Sequence, residues 1–236
     1  MQRYQEQFHS LLGIKNNPDE HEAYLFKRGQ KYIQKLSKIP GIEMIAIVNS
    51  LSMYATHKDS DIDLFIITKP GMIWFVRFLS TLILWKKGVW RKNDDIAGNF
   101  CLSFFITTDA LDLSKIAIEN DIYLYYWIYY LKPIFDKNNT YERFLEANNW
   151  VQIDEKPKIE NQKYKISTTY LSKNDTNFNT HINNIIRFFL LPKTLKSYNK
   201  LGNPEGIIIS DSILKFHNED MRISIRKKIL ENNFDK

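Results

Sequence analysis

Ile45-Ala-Ile-Val-Asn49-Ser50, a ten-residue gap, then Asp61-Ile-Asp63-Leu-Phe-Ile-Ile67 is the stretch on which the reading of this chain turns. Met44–Val48 is an apolar run rich in β-branched side chains, long enough for a buried strand, and small polar residues follow it. Asp61–Thr68 reads as a second strand that Lys69-Pro70-Gly71 stops. The more polar Leu51–Ser60 between them is a connecting loop with room for a short helix. Side chains alternate faces along a strand, so Asp61 and Asp63 point one way while Ile62, Leu64 and Ile66 point the other. Two carboxylates this close repel unless a cation sits between them. Such a pair suits Mg²⁺ (or Mn²⁺), which keeps waters and takes further ligands from substrate phosphates. Upstream, the Ser50 hydroxyl and nearby backbone N–H groups can meet a phosphate. A bare Asp-x-Asp is a common solvated turn; here it opens an apolar strand at hairpin distance from another.

Outward from this centre, Asp19–Ile39 has helical spacing and ends at Pro40-Gly41. Met72–Lys87 reads as a helix, Val89–Lys92 as a short strand, and Phe100–Thr107 as a third firm strand. Asp121–Leu131 and Tyr141–Asn148 read as helices with Pro133 between them. Gln152–Asn179 is polar and weakly periodic, a linker between two lobes. His181–Tyr198 and His217–Glu231 then form a helical tail. Strands early and helices late indicate a mixed sheet with a helical C-terminal lobe.

Composition sets bounds. The chain has 236 residues, 44% of them hydrophobic and 25% charged, ordinary values for a folded protein. A net charge of +6 favours acidic partners such as nucleotides or nucleic acid, although runs such as Arg226-Lys227-Lys228 suit a solvated helix face equally well. The one cysteine, Cys101, excludes an internal disulfide and a Cys-based zinc site, and its apolar surroundings suit an inert core thiol. The N-terminus carries no apolar secretory core. Met72–Trp85 is too short for a span and contains Arg77. These features lead us to expect a cytoplasmic protein with no membrane partner.

Residues 41–68 resemble the signature of the DNA polymerase β-like nucleotidyltransferase superfamily: an apolar strand, Gly-Ser or Gly-Gly, a loop of about ten residues, and Asp-x-Asp in a strand. Here the pattern stands as Val48-Asn49-Ser50, Leu51–Ser60 and Ser60-Asp61-Ile62-Asp63-Leu64. Blocks at Asn99–Ile106, Asp121-Ile-Tyr123, Asn148-Asn-Trp150 and Leu214–Asp220 are similar to those of uncharacterised prokaryotic members. The resemblance implies an α/β fold, a nucleotidyltransferase-like mixed sheet flanked by helices. It implies that Ser50 touches the triphosphate of an NTP while Asp61 and Asp63 bind metal and act in catalysis. Asn49 replaces the usual glycine, and Asn is among the residues that best tolerate a positive φ. Active members often carry a third carboxylate on a later strand. The polar face of Asn99–Ile106 (Asn99, Cys101, Ser103, Phe105) has none, which leaves Asp94, Asp95 and Asp109 as flanking candidates.

Other residues have a functional and a plain reading. His57 and Lys58 precede the Asp pair and can meet phosphate, or stand idle in an exposed loop. Lys58 joins Asn49 and Ser50 as a candidate nucleotide-binding residue. His217 suits a surface or capping role better than metal ligation. Lys86, Lys87, Arg91 and Lys92 form a basic cluster that suits a polyanion or only solvent. Tyr123–Tyr130 suits a buried helix better than base stacking. Two functions follow. One is Mg²⁺-dependent transfer of a nucleoside monophosphate to a hydroxyl of a small molecule, an RNA end or other polyanion, or a protein. The other is a weak or inactive nucleotide-binding module that regulates or binds a protein partner. A basic-surface nucleic-acid binder would leave the Asp pair without a use. The expected division is a nucleotidyltransferase-like domain at 1–150, then a linker and helical lobe at 151–236.

Overall fold

The computed structural model describes residues 1–92, 95–152, 176–217 and 220–231. Its centre is a six-stranded mixed sheet. The strands are β1 (Ile42–Ile47), β2 (Ile62–Thr68), β3 (Phe100–Thr107), β4 (Lys132–Asp136), β5 (Ile207–Ile209) and β6 (Ile213–Phe216), in the spatial order β4-β1-β2-β3-β6-β5. Only β2 and β3 pair in parallel; every other neighbouring pair is antiparallel. The helices are α1 (Gln5–Leu12), α2 (Glu20–Leu36), α3 (Asn49–Ser52), α4 (Ile73–Lys86), α5 (Ile122–Tyr130), α6 (Thr140–Ala147), α7 (Thr176–Lys200) and α8 (Met221–Glu231). The expected α/β architecture, a mixed sheet flanked by helices with helix at the C-terminus, is what the chain forms.

Strand alternation sorts the core into two. Ile45, Ile47, Ile62, Leu64 and Ile66 face one side, with Leu25, Phe26 and Ile33 of α2 and Ile73, Trp74 and Val76 of α4. Met44, Ala46, Phe65 and Ile67 face the other, with Phe8, the aromatic stretch of α5, Phe144, Ile225 and Ile229. The parallel β2–β3 pair needs a crossover, and apolar α4 supplies it. α2 begins at a capping box in which Asp19 accepts from the Glu22 N–H and Glu22 accepts from the Asp19 N–H.

The structure departs from the sequence expectations in five places. β4 was not anticipated, because Pro133 argues against a strand; as an edge strand on β1 it tolerates the missing N–H. β5 and β6 lie in the stretch before the terminal helix, and at three and four residues they are too short to show a period. They complete the sheet begun by β1–β3, so residues on both sides of position 150 share one sheet. The terminal helix starts at Met221 rather than His217. Val89–Lys92 contributes an isolated bridge, Trp90 to Phe100, rather than a strand. Most of the expected linker, residues 153–175, lies outside the described residues, as does Asp94.

Candidate functional site

Strand direction explains why the site lies at one edge of the sheet. β1 ends where β2 and β3 begin, and β6, antiparallel to β3, ends there too. The turn after β1, the head of β2, the head of β3 and the residue after β6 therefore meet. Asp61 immediately precedes β2 and Asp63 lies within it, on the face that carries Phe65 and Ile67. Ligand atoms of Asp61, Asp63 and Cys101 lie within 4.8 Å of one another. The two carboxylates thus share a side, as alternation requires.

Cys101 is the neighbour of Asp63 across the parallel ladder. The register then shifts: Asp63 pairs with Cys101, but Phe65 pairs with Phe104, so β3 carries one extra residue. A bulge of this kind reverses the facing of all that follows. Phe105 accordingly joins the core under α4 and Phe104 the opposite one, so Phe105 does not belong to the polar face read from sequence. Cys101 sits half-buried beside the Asp pair rather than in the core, and burial pushes its pKa far up, which keeps the thiol protonated and unreactive.

Asp63 is buried. Burial first, and then the charge of Asp61, raise its carboxyl pKa to about 7, against smaller opposing effects of the Asn49 amide, the Cys101 thiol and Arg91. Asp61 has a cation of its own: Arg91 Nη1 lies 2.8 Å from Asp61 Oδ2 and 3.8 Å from Cys101 Sγ. A guanidinium thus relieves part of the repulsion for which the sequence reading required a metal.

Asn49 adopts φ 57°, the left-handed conformation that glycine would take at no cost. Two side chains of α5 hold it. Trp127 Nε1 donates to Asn49 Oδ1 at 2.8 Å and the Tyr123 hydroxyl donates to the same oxygen at 3.3 Å. Ser50 is half-buried and lines a cleft of about 370 Å³ with Asn49, Asp63, Tyr123, Trp127 and His217. His57 and Ser60 also line it, whereas Lys58 is exposed and does not.

His217 is not a surface residue. Its Nε2 lies 3.3 Å from Ser103 Oγ, its ring meets Phe104 edge-on, and Nδ1 is buried without a hydrogen-bond partner among the described residues. Burial, and then Lys215, pull its pKa down to about 4, so the imidazole is neutral at physiological pH. Of the flanking aspartates, Asp109 follows the far end of β3, where the Thr107 hydroxyl donates to it. Six residues of strand, about 20 Å, separate that end from Asp61. Asp95 is exposed, its backbone bridged to that of Lys92. Neither joins the Asp61–Asp63 group.

The sequence reading missed the roles of Tyr123, Trp127, Arg91 and Lys215. The first two had a signal, since their i, i+4 spacing puts them on one helix face. The others reach the site only through tertiary pairing.

No protein-family model matches this chain, and no curated protein matches it. Among solved structures, one described as the crystal structure of a toxin-antitoxin with AMP-PNP overlaps 57% of this chain and 98% of its own, at 14% identity and a TM-score of 0.32. Likeness at that level decides neither fold nor chemistry, which rest on the geometry above. No helix among the described residues is long and apolar enough to cross a membrane.

Proposed function

We propose that this protein transfers a nucleoside monophosphate from an NTP to a hydroxyl acceptor, with a divalent cation held on Asp61 and Asp63. The observation that carries the reading is the closeness of the two carboxylates, of which Asp63 lines one cleft with the Asn49-Ser50 turn. Two carboxylates this close suit such an ion, which takes its remaining ligands from water and substrate phosphates, while the protonated Cys101 thiol beside them is too soft to serve. A bound Mg²⁺ or Mn²⁺ would neutralise charge on the triphosphate. The aromatic wall of Tyr123 and Trp127 suits a base, and Ser50 suits the phosphates. In the reaction the acceptor oxygen forms a bond to the α-phosphorus. The bond from that phosphorus to the α,β-bridging oxygen breaks, and pyrophosphate leaves with the electron pair. The hydroxyl proton passes to solvent.

One observation favours the alternative of a weak or inactive nucleotide-binding module. Cys101 and Arg91 occupy the place where a third carboxylate would complete the site. The deciding assay incubates the full chain with each of the four NTPs, Mg²⁺ or Mn²⁺ and mixed cellular acceptors, beside Asp63→Ala. Pyrophosphate release and labelled product, both absent in the variant, support transfer. Metal-dependent NTP binding with no product under any condition supports the module.

A further inference from the structure

A second cavity, of about 610 Å³, opens on the other side of Asp63 and shares Asn49, Asp63 and His217 with the first cleft. Its character is different. Where the first is mostly apolar, with Lys215 and Arg222 both paired to Asp220, this one is lined by Arg77, Arg91 and Lys92, with the half-buried indole of Trp90 beside them.

Arg77 is the informative residue. It projects from apolar α4, its guanidinium carbon sits 3.9 Å from the centre of the Phe216 ring, and Nη1 donates to the Leu102 carbonyl at 3.0 Å. No carboxylate among the described residues pairs with it. Burial lowers its pKa to about 10, still charged at neutral pH. A guanidinium has five N–H donors, and an enclosed charge without a counterion is expensive. The buried cations of the C-terminal segment, Lys215 and Arg222, each have a carboxylate partner. Half-buried Arg77 lines the cavity with a backbone carbonyl and an aromatic ring, but no carboxylate, as its partners among the described residues.

We propose that this second cavity is the acceptor site, and that it seats the acceptor by a phosphate group on Arg77, with its hydroxyl directed to Asp63. The inference rests on the transferase reading above. A planar fork matches two phosphate oxygens, and with Arg91 already paired to Asp61, Arg77 and Lys92 add cationic charge beyond that pair. Cation binding at Asp61 frees Arg91 to join Arg77, so the two cavities fill in a coupled way. The shared phosphate chemistry has two sources, the end of a nucleic acid and a phosphorylated metabolite; Trp90 offers a base a stacking face in the first case.

The test uses the full chain and three probes: inorganic phosphate, a 5′-phosphorylated ribodinucleotide and a sugar monophosphate, each followed by calorimetry and thermal melting. Wild type is expected to bind them and to melt higher in their presence. Arg77→Met is expected to lose at least about 10-fold in affinity, while melting no lower than wild type without probe, because an apolar side chain replaces an uncompensated charge. Tighter binding of the dinucleotide than of the sugar phosphate identifies a nucleic-acid end; the reverse identifies a metabolite. Should Arg77→Met not fold, Lys92→Glu, at an exposed position, is expected to weaken phosphate binding. Probe affinity unchanged in either folded variant overturns the site. Nucleotide transfer with no Arg77-dependent anion binding sinks this inference alone. Arg77-dependent binding in a chain that transfers nothing sinks the function on which it rests.

Discussion

Asp63 stands in a conflict that one substitution exposes. Its folded-state pKa, about 7, lies above the ordinary 3.8, so the stability linked to it is fully present below pH 3.8 and is lost as pH rises through 7. Above neutrality the metal-free protein holds a buried carboxylate beside Asp61. Asp63→Asn, which keeps the shape and removes the charge, is therefore expected to stabilise the metal-free chain by on the order of 2 kcal/mol at pH 8 and to have little effect at pH 4. Mg²⁺ or Mn²⁺ is expected to raise the melting temperature of wild type at pH 8 and to leave the variant unmoved, since a ligand stabilises only the state that binds it. Melting curves at both pH values, with and without metal, check this. A variant less stable than wild type at pH 8 would show that Asp63 is held by hydrogen bonds rather than strained by burial.

At the level of elements, the loop between β1 and β2 is fastened from outside itself. Glu22, fully buried near the start of α2, accepts from the Thr56 N–H at 3.2 Å and the Thr56 hydroxyl at 3.0 Å, and pairs with Lys15 at 3.0 Å. The same carboxylate completes the capping box. One side chain thus ties the helix start to the loop that carries His57 and Ser60 into the cleft. Glu22→Ala is expected to cost about 2–4 kcal/mol, the sum of a lost cap and several stranded polar groups. It is also expected to speed amide exchange at residues 55–60 ahead of the rest of the sheet. Uniform exchange with an unchanged urea midpoint would show that the loop holds itself.

Across the whole molecule, two long-range joints bind the C-terminal segment to the sheet. Asn183 of α7 accepts from the N–H groups of Trp74 and Phe75 at 3.0 and 3.1 Å, capping α4 from more than 100 residues away. Arg222 of α8 pairs with Asp220 at 2.6 Å and with Asp121, the cap of α5, at 3.2 Å, both in buried or half-buried settings. Removing one partner of a buried pair strands the other charge. Arg222→Ala is expected to cost about 3–5 kcal/mol in urea unfolding, and to weaken NTP binding because Arg222 and Asp220 line the cleft with Lys215 and His217. Loss of stability with unchanged nucleotide affinity would separate the joint from the site.

The sequence by itself determined what depends on neighbours along the chain. The period-two alternation of Asp61–Ile67 put both carboxylates on one face, the capping box started α2, and the spacing of Tyr123–Tyr130 buried most of α5 in the core. It also exposed the gap on the third strand, since Asn99–Ile106 lacks an acid wherever its residues face. Only the tertiary structure decided what fills that gap. Arg91 reaches Asp61 because the Trp90–Phe100 bridge sets it beside the head of β3, and His217 enters because β6 runs antiparallel to β3. One inserted residue in β3 sent Phe104 and Phe105 to faces opposite to those that strict alternation assigns. Sequence period reports faces within an element; register, bulges and strand order arise from contacts between distant segments, and those contacts assembled this site.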